Sequence, residues 1–252
     1  MRGQFWLSDE QWASIKPHLP YRAAGKRRED DRRIISGIIH VLQSGCRWRD
    51  CPSEYGPHTT VYNRYNRWAQ RGIWQYLFAE LTTALADTPR EISIDSTHVK
   101  AHRCAGGGKG GASAQAIGRT KGGRNTKVHA ISDEYCRPLA FYLTPGQIAD
   151  ITGAVRLADR LPEARYLLAD KAYDADHWRA RLKRHRIQPV IPNKVNRKQP
   201  HAFDRKRYRH RNVIERMFGR LKDFRRIATR YDKNACNFMA GLCLAALICY
   251  WI

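Results

Sequence analysis

Apolar residues recur along this chain in two rhythms, and the change between them falls near residue 88. Before it the spacing is helical. Ser8 can cap a short helix opening at Asp9-Glu10, with Gln11 three residues on to close a capping box. Asp31 to Ser44 carries Ile34, Ile35, Ile38, Ile39 and Leu42 on one stripe that stops near Gly45. A loop marked by Pro52, Gly56 and Pro57 follows, then helices over Thr59 to Arg71 and Trp74 to Leu85. Asp87-Thr88-Pro89 punctuates the boundary.

Beyond it, short β-rich runs alternate with helical ones. Strands are predicted over Ile92 to Val99, Lys127 to Ile131, Pro138 to Leu143, Tyr166 to Ala169 and Pro189 to Ile191, the second and third forming a hairpin through Asp133-Glu134. Helices are predicted over Ile151 to Arg160, Ala175 to His185 and, as one long element, Tyr208 to Arg226. The stretch 103–127 holds eight of the 18 glycines and no acid; such a composition predicts a mobile basic loop. The apolar run Phe238 to Ile252 is 15 residues long, short of the roughly 20 a membrane helix needs, and reads as a buried C-terminal helix. The expectation is an all-α domain over 1–88, then an α/β domain over 89–252 with a mixed sheet flanked by helices.

Charge narrows the function. With 46 Lys and Arg against 23 Asp and Glu, the net charge is +23, which a polyanionic partner would relieve. Between Arg179 and Lys233 stand 20 Lys/Arg against Asp204, Glu215, Asp223 and Asp232, a net +16 in one stretch. Seven cysteines without a C-x-x-C pair argue against a disulfide framework or a structural zinc site. No signal-peptide pattern is evident, and a cytoplasmic, nucleoid-associated protein without a membrane partner is expected.

The helix over 59–71 is the candidate DNA reader. Val61, Tyr65, Trp68 and Ala69 share one face, and Asn63, Arg64, Asn66, Arg67, Gln70 and Arg71 fill the other. Asn, Gln and Arg carry the forked donors and acceptors that match base edges, so Asn63, Arg64 and Arg67 are candidates. An ordinary solvated polar face is the plainer alternative. The arrangement is helix-turn-helix-like, though a turn of about 14 residues is too long for the standard motif.

Two acids stand out in the α/β region. Asp95 interrupts a β-branched strand, where an acid needs a partner or a task. Asp170 ends the strand 166–169, at the edge where α/β sheets gather ligands. Each also has a structural explanation, a backbone bond for Asp95 and a helix cap for Asp170. A third candidate is Glu215. On a continuous helix started at Tyr208, Arg211, Glu215 and Lys222 fall at about 300°, 340° and 320°, beside the apolar stripe of Val213, Ile214, Met217, Phe218, Leu221 and Phe224. Alone, Arg211 and Glu215 would be an ordinary i,i+4 ion pair. Asp133, Asp174 and Asp176 are other acids nearby, the last two reading as helix-start residues, and His98, His102 and His129 read as structural or phosphate-contacting.

The spacing Tyr208-x2-Arg211-x3-Glu215-x6-Lys222 matches the Tyr-Arg-Glu-Lys signature of DDE transposases of the insertion sequence four and five superfamily. Asp170-Lys171-Ala172-Tyr173 and Ile94-Asp95-Ser96-Thr97 resemble the segments around that group's two aspartates. Gly118 to His129, Leu7-Ser8-Asp9-Glu10-Gln11-Trp12 and Gly45-Cys46-Arg47-Trp48-Arg49-Asp50 are similar to the family-five branch, so the resemblance covers nearly the whole chain. It implies a ribonuclease H-like fold, whose element order the strands and helices follow. It also implies Asp95, Asp170 and Glu215 as the catalytic and metal-binding set, and two magnesium ions, replaceable by manganese. Tyr208, Arg211, Lys222, Lys121, Arg124 and Lys127 are then DNA contacts. The partners implied are the element's terminal inverted repeats and target DNA, with a homo-oligomer, a dimer on DNA, as the acting form. A nuclease of the same fold without strand transfer, and a non-catalytic repeat-binding regulator, are the competing expectations.

Overall fold

A computed structural model describes residues 3–20 and 30–252. The chain divides into two compact units that are not continuous in sequence. One comprises residues 1–85, 102–109 and 220–252, the other residues 86–101 and 110–219. The first break lies close to the expected boundary at residue 88, while the C-terminal stretch groups with the N-terminal helices.

The first unit is helical. Helix α1 (Asp9–Ile15) begins at the expected capping box, Ser8 accepting from the Gln11 amide and Gln11 accepting from that of Ser8. Helix α2 (Asp31–Ser44) starts on an Asp30 cap, ends at left-handed Gly45 and buries Ile34, Ile35, Ile38, Ile39 and Leu42. Helix α3 (His58–Gln70) and helix α4 (Ile73–Leu85) follow. A Cβ at Gly37 would lie 2.7 Å from the Tyr55 side chain, so glycine lets Tyr55 press on α2. The C-terminal helix Ala235–Ala246 is almost wholly buried, as its apolar run predicts; Tyr65 donates to the carbonyl of its Asn237 and Trp74 to the carbonyl of Tyr65. Among the described residues, no helix is long and apolar enough to cross a membrane.

The second unit is built on a mixed sheet. Strand β1 (Glu91–Ala101) runs antiparallel to β3 (Gly123–Asp133) and parallel to β5 (Tyr166–Leu168), which is parallel in turn to β6 (Gln188–Val190). On its other edge β3 pairs with the short β2 (Gly118–Thr120) and then with β4 (Pro138–Pro145), both antiparallel. Leaving aside the short β2, three antiparallel strands (β1, β3 and β4) followed by two parallel ones (β5 and β6) make the ribonuclease H-like sheet. The glycine-rich stretch is therefore not a simple loop: it contains a helical turn, α5 (Gly111–Ala114), strand β2 and the start of β3. Its ladder bonds come from the backbone, which glycine supplies as well as any residue.

Helices α6 (Asp150–Leu157) and α7 (Asp176–Arg184) contribute Ala154, Leu157, Trp178 and Leu182 to a core with Ile92, Ile94, Ile131 and Leu167. Against β3, α6 lays the bare backbone of Gly153 on the ring of His129. A Cβ at Gly153 would lie 2.2 Å from Nδ1 of the fully buried His129.

Candidate active site

Two strands bring the aspartates together. Asp95 stands opposite Ala130 of β3, directly after buried Ile94. On the other side, β1 pairs with β5 up to Ser93 opposite Leu168. Continued two residues, that register sets Asp95 level with Asp170, just past the end of β5. Both structural bonds foreseen for these acids form. The Ser96 amide donates to Asp95 Oδ1 at 2.7 Å, and the Ala172 amide to Asp170 Oδ1 at 2.8 Å. Each takes one oxygen of its carboxylate. Asp95 Oδ2 faces Arg211, whose Nη1 donates to it at 2.8 Å.

Glu215 arrives on a helix that differs from expectation. The single element over 208–226 is broken into α8 (Arg205–Tyr208), a 3₁₀ turn (Arg209–Arg211), α9 (Asn212–Leu221) and a further turn of helix, Arg225–Ala228. Val213, Ile214, Met217, Phe218 and Leu221 are buried as the stripe predicts. Lys222 directly follows the last residue of α9, and burial lowers the pKa of its ammonium. The 3₁₀ turn instead sets Arg211 between two acids, one Nη on Asp95 and the other on Glu215. Upstream, α8 is fixed to the sheet. Arg207 pairs with buried Glu91 and lies 3.8 Å above the Tyr166 ring, while Tyr208 packs edge-on against Phe203. Tyr208 is thus a packing residue with Arg211 over its ring at 5.9 Å.

A fourth carboxylate escaped the sequence reading. Asp150, first residue of α6, accepts from Ser96 Oγ and pairs with Lys127 Nζ at 3.0 Å. It looks like any acid in a first helical turn, and the only hint was its place after a strand ending in Pro145-Gly146. Asp95, Asp150 and Asp170 all act on the buried phenol of Tyr173, whose pKa is driven well above 10 by burial first and these charges next. The same crowding shows in Asp95. Burial raises its pKa to about 6, the Ser96 amide and Arg211 oppose this, and Asp170 and Asp150 add to it. His129 is held neutral, burial lowering its pKa to about 4, and its Nε2 lies 2.9 Å from Thr144 Oγ1.

The expected DNA contacts fare unequally. Asn63 and Arg67 are exposed on α3, and Lys121 and Arg124 on the β2–β3 hairpin. Arg64 is not available to bases: it is buried, pairs with Asp31 and lies 4.8 Å over Trp68. Expected on the polar face, it is drawn inward by half-buried Asp31. Lys127 is likewise committed, 94% buried within β3 with its ammonium on the Ile148 carbonyl and Asp150. Asp174 is no simple helix-start residue. It is buried, with Arg179 on one oxygen and Arg197 plus the Lys194 amide on the other. Asp176 does sit in the first turn of α7, and Asp133 is tied to Arg137.

Among the described residues, no three His, Cys, Asp or Glu side chains converge closely enough to hold one ion as placed. Arg211 stands between Asp95 and Glu215. The donors are nevertheless carboxylate oxygens, the ligands hard divalent cations prefer. Burial first, and the nearby Asp170 and Asp150 charges after it, lift Asp95 to about 6, and a cation beside it would oppose both.

The chain is similar to known transposases over most of its length. Residues 7–78 match the family described as "Putative transposase of IS4/5 family", and residues 87–251 match the family "Transposase DDE domain". The chain is 38% identical over 122 residues to a "Putative transposase for insertion sequence element IS6501" from Brucella ovis, covering 48% of this chain and 93% of the relative. It is 31% identical over 153 residues to a "Putative transposase for insertion sequence element IS402" from Burkholderia cepacia, covering 53% of this chain and 70% of that protein. In fold it is similar to piggyBac transposase, solved as a synaptic complex with hairpin DNA. The TM-score is 0.51 at 10% identity, covering 94% of this chain and 69% of the other.

Proposed function

This chain belongs to the transposase DDE domain family, and from that premise we propose that Asp95, Asp170 and Glu215 are its metal-binding catalytic carboxylates, acting on the ends of its own insertion sequence. Membership brings DNA transposition and dependence on a divalent metal; magnesium, as two ions, is our assignment. The observation that carries the reading is the convergence of Asp95 and Asp170 at the end of β5, with Glu215 tied to Asp95 through Arg211.

When bound, the metal ions activate the attacking oxygen and stabilise the leaving one in phosphodiester cleavage and strand transfer. The chain's own residues do the rest. The Ser96 and Ala172 amides orient Asp95 and Asp170 so that one oxygen of each is fixed. Arg211 keeps Asp95 and Glu215 facing one another, and its fork can exchange a carboxylate for a DNA phosphate. Lys222 and Lys121 add phosphate contacts as point charges and Arg124 as a fork, and Tyr208 supports Arg211 from below. Residues 1–88 read the terminal inverted repeat with Asn63 and Arg67 of α3. The acting form is a homo-oligomer, a dimer on paired ends.

A gel assay on labelled element ends with magnesium tests the proposal. Joined products are expected. Cut but unjoined products would reduce the chain to a nuclease, and shifted complexes without cutting, to a regulator.

A further inference from the structure

Asp150 has no part in the reaction proposed above, yet its carboxylate is committed more fully than a place in a first helical turn requires. Helix α6 begins without a side-chain cap, and Asp150 turns to the sheet instead. Its Oδ1 accepts from Ser96 Oγ of β1 and pairs with Lys127 Nζ of β3 at 3.0 Å. Lys127 also donates to the Ile148 carbonyl at 2.7 Å. Three elements therefore meet on one oxygen. The chain around the start of α6 is pressed onto the sheet at two glycines. A Cβ at Gly146 would fall on the Asn125 side chain, and one at Gly153 on the His129 ring. Burial opposes ionisation of Asp150, but the Ser96 and Lys127 bonds outweigh it and hold its pKa below the ordinary carboxylate value.

The pleat decides what this arrangement can do. The register of β1 on β3 is unbroken from Ile92 to Lys100, so successive side chains alternate between the two faces. Ile94 and Ser96 face α6: Ile94 lies in the core with Ala154 and Leu157, and Ser96 bonds Asp150. Asp95, between them, projects to the other face. Asp150 therefore bears on Asp95 through the backbone of Ser96, whose hydroxyl is tied on one face while its amide donates to Asp95 Oδ1 at 2.7 Å on the other. Lys127, itself buried, already supplies Asp150 with a cation, which leaves Asp150 poorly suited to be a further metal ligand.

We propose that Asp150 is a positioning residue for the reaction: backed by Lys127, it holds Ser96 so that the Ser96 amide fixes Asp95 Oδ1 and leaves Oδ2 to Arg211 or, in its place, a divalent cation. The inference rests on Asp95 being a metal-binding carboxylate, as proposed above. It adds Asp150, Ser96 and Lys127 as the layer behind it. Groups that orient a metal-binding side chain commonly set its affinity by about tenfold or more.

The test measures Mn2+ bound to the full chain on an element-end duplex, from the loss of the free-ion EPR signal, with the Asp95→Ala complex as background. Ser96→Ala should weaken Mn2+ binding about tenfold while the duplex is shifted in a gel as by wild type, and Ser96→Thr should restore it. Asp150→Ala should weaken it equally, and the double variant no further than either single one. Asp150→Asn, whose amide oxygen can still accept from Ser96 and Lys127, should recover most of the affinity lost in Asp150→Ala. Wild-type affinity in Ser96→Ala overturns the inference, as do losses that multiply in the double variant. A loss in Asp150→Asn as large as in Asp150→Ala would make Asp150 a ligand itself and overturn it too. Each of these leaves the transposase reading intact. If the Asp95→Ala complex bound as much Mn2+ as wild type, the carboxylate assignment would fall and this inference with it.

Discussion

Asp95 and Asp174 are largely buried aspartates of one unit, and their surroundings drive them in opposite directions. Burial opposes ionisation of both. At Asp174, Arg197, the Lys194 amide and Arg179 overcome it and lower the pKa to about 2. At Asp95, the Ser96 amide and Arg211 do not, and with Asp170 and Asp150 adding like charge the carboxyl rises to about 6. A carboxylate with its partners already in place holds structure. One short of positive charge is prepared for something that arrives later. Burial alone would not have told them apart; the sign of what surrounds each carboxylate does.

The comparison can be broken most sharply in catalysis. Asp95→Ala, Asp170→Ala or Glu215→Ala should each reduce cleavage of element ends by at least roughly 10²-fold, the scale of losing one charge-stabilising group, while gel-shift affinity stays near wild type. Two variants nicking at the wild-type rate would remove the site assignment. Asp174→Ala should instead act on stability. It strands Arg179 and Arg197, and urea unfolding should show a loss of about 3–5 kcal/mol. A loss no larger than that of an exposed ion pair would make the two aspartates alike after all.

Specific binding comes next. Arg67→Ala should weaken binding to the terminal repeat by about 1–3 kcal/mol if it reads a base, and an equal loss on random duplex would make it a phosphate contact. The pH dependence of stability then separates the aspartates by sign. The folded pKa of Asp95 lies above its unfolded value, so the stability it contributes is present below about pH 4 and lost as pH rises through about 6. Measured in EDTA, Asp95→Asn should therefore melt higher than wild type at pH 8, by on the order of 1 kcal/mol, with the gap closing by pH 4. Asp174 contributes stability present above about pH 4 and lost as pH falls towards 2. A lower melting temperature for Asp95→Asn at pH 8 would contradict the cost of burying this carboxylate beside Asp170 and Asp150. The smallest effect is electrostatic: Arg211→Gln should flatten the salt slope of catalytic-complex formation by roughly one unit.

The three proposed catalytic acids were legible because their neighbours in sequence constrain them: a β-branched strand around Asp95, a buried run before Asp170, and a fixed spacing around Glu215. Asp150 and Asp174 were not, because each sits where an ordinary helix-start acid would, and their importance comes from partners 20 or more residues away, Ser96, Lys127, Lys194 and Arg197. The sheet was legible except for β2, whose glycines hide a hairpin held by backbone bonds. The long helix over 208–226 was misjudged at its breaks. No proline marks them, and the ion pairs of Arg207 and Arg211 that accompany the break are tertiary. The grouping of 220–252 with the N-terminal helices likewise depends on long-range packing that no local pattern announces.

The contact of Gly153 with His129 carries a consequence for how this gene can drift. A methyl group there has no room, and the obstacle is a rigid ring sealed in the sheet rather than a side chain that can swing aside. Any side chain at 153 must displace α6 or the His129 ring beneath it, and Asp150 rides at the end of that helix. Decaying copies of the element are thus open to inactivation at a position bearing no reactive group, and a saturation library should find it as intolerant as the acids themselves.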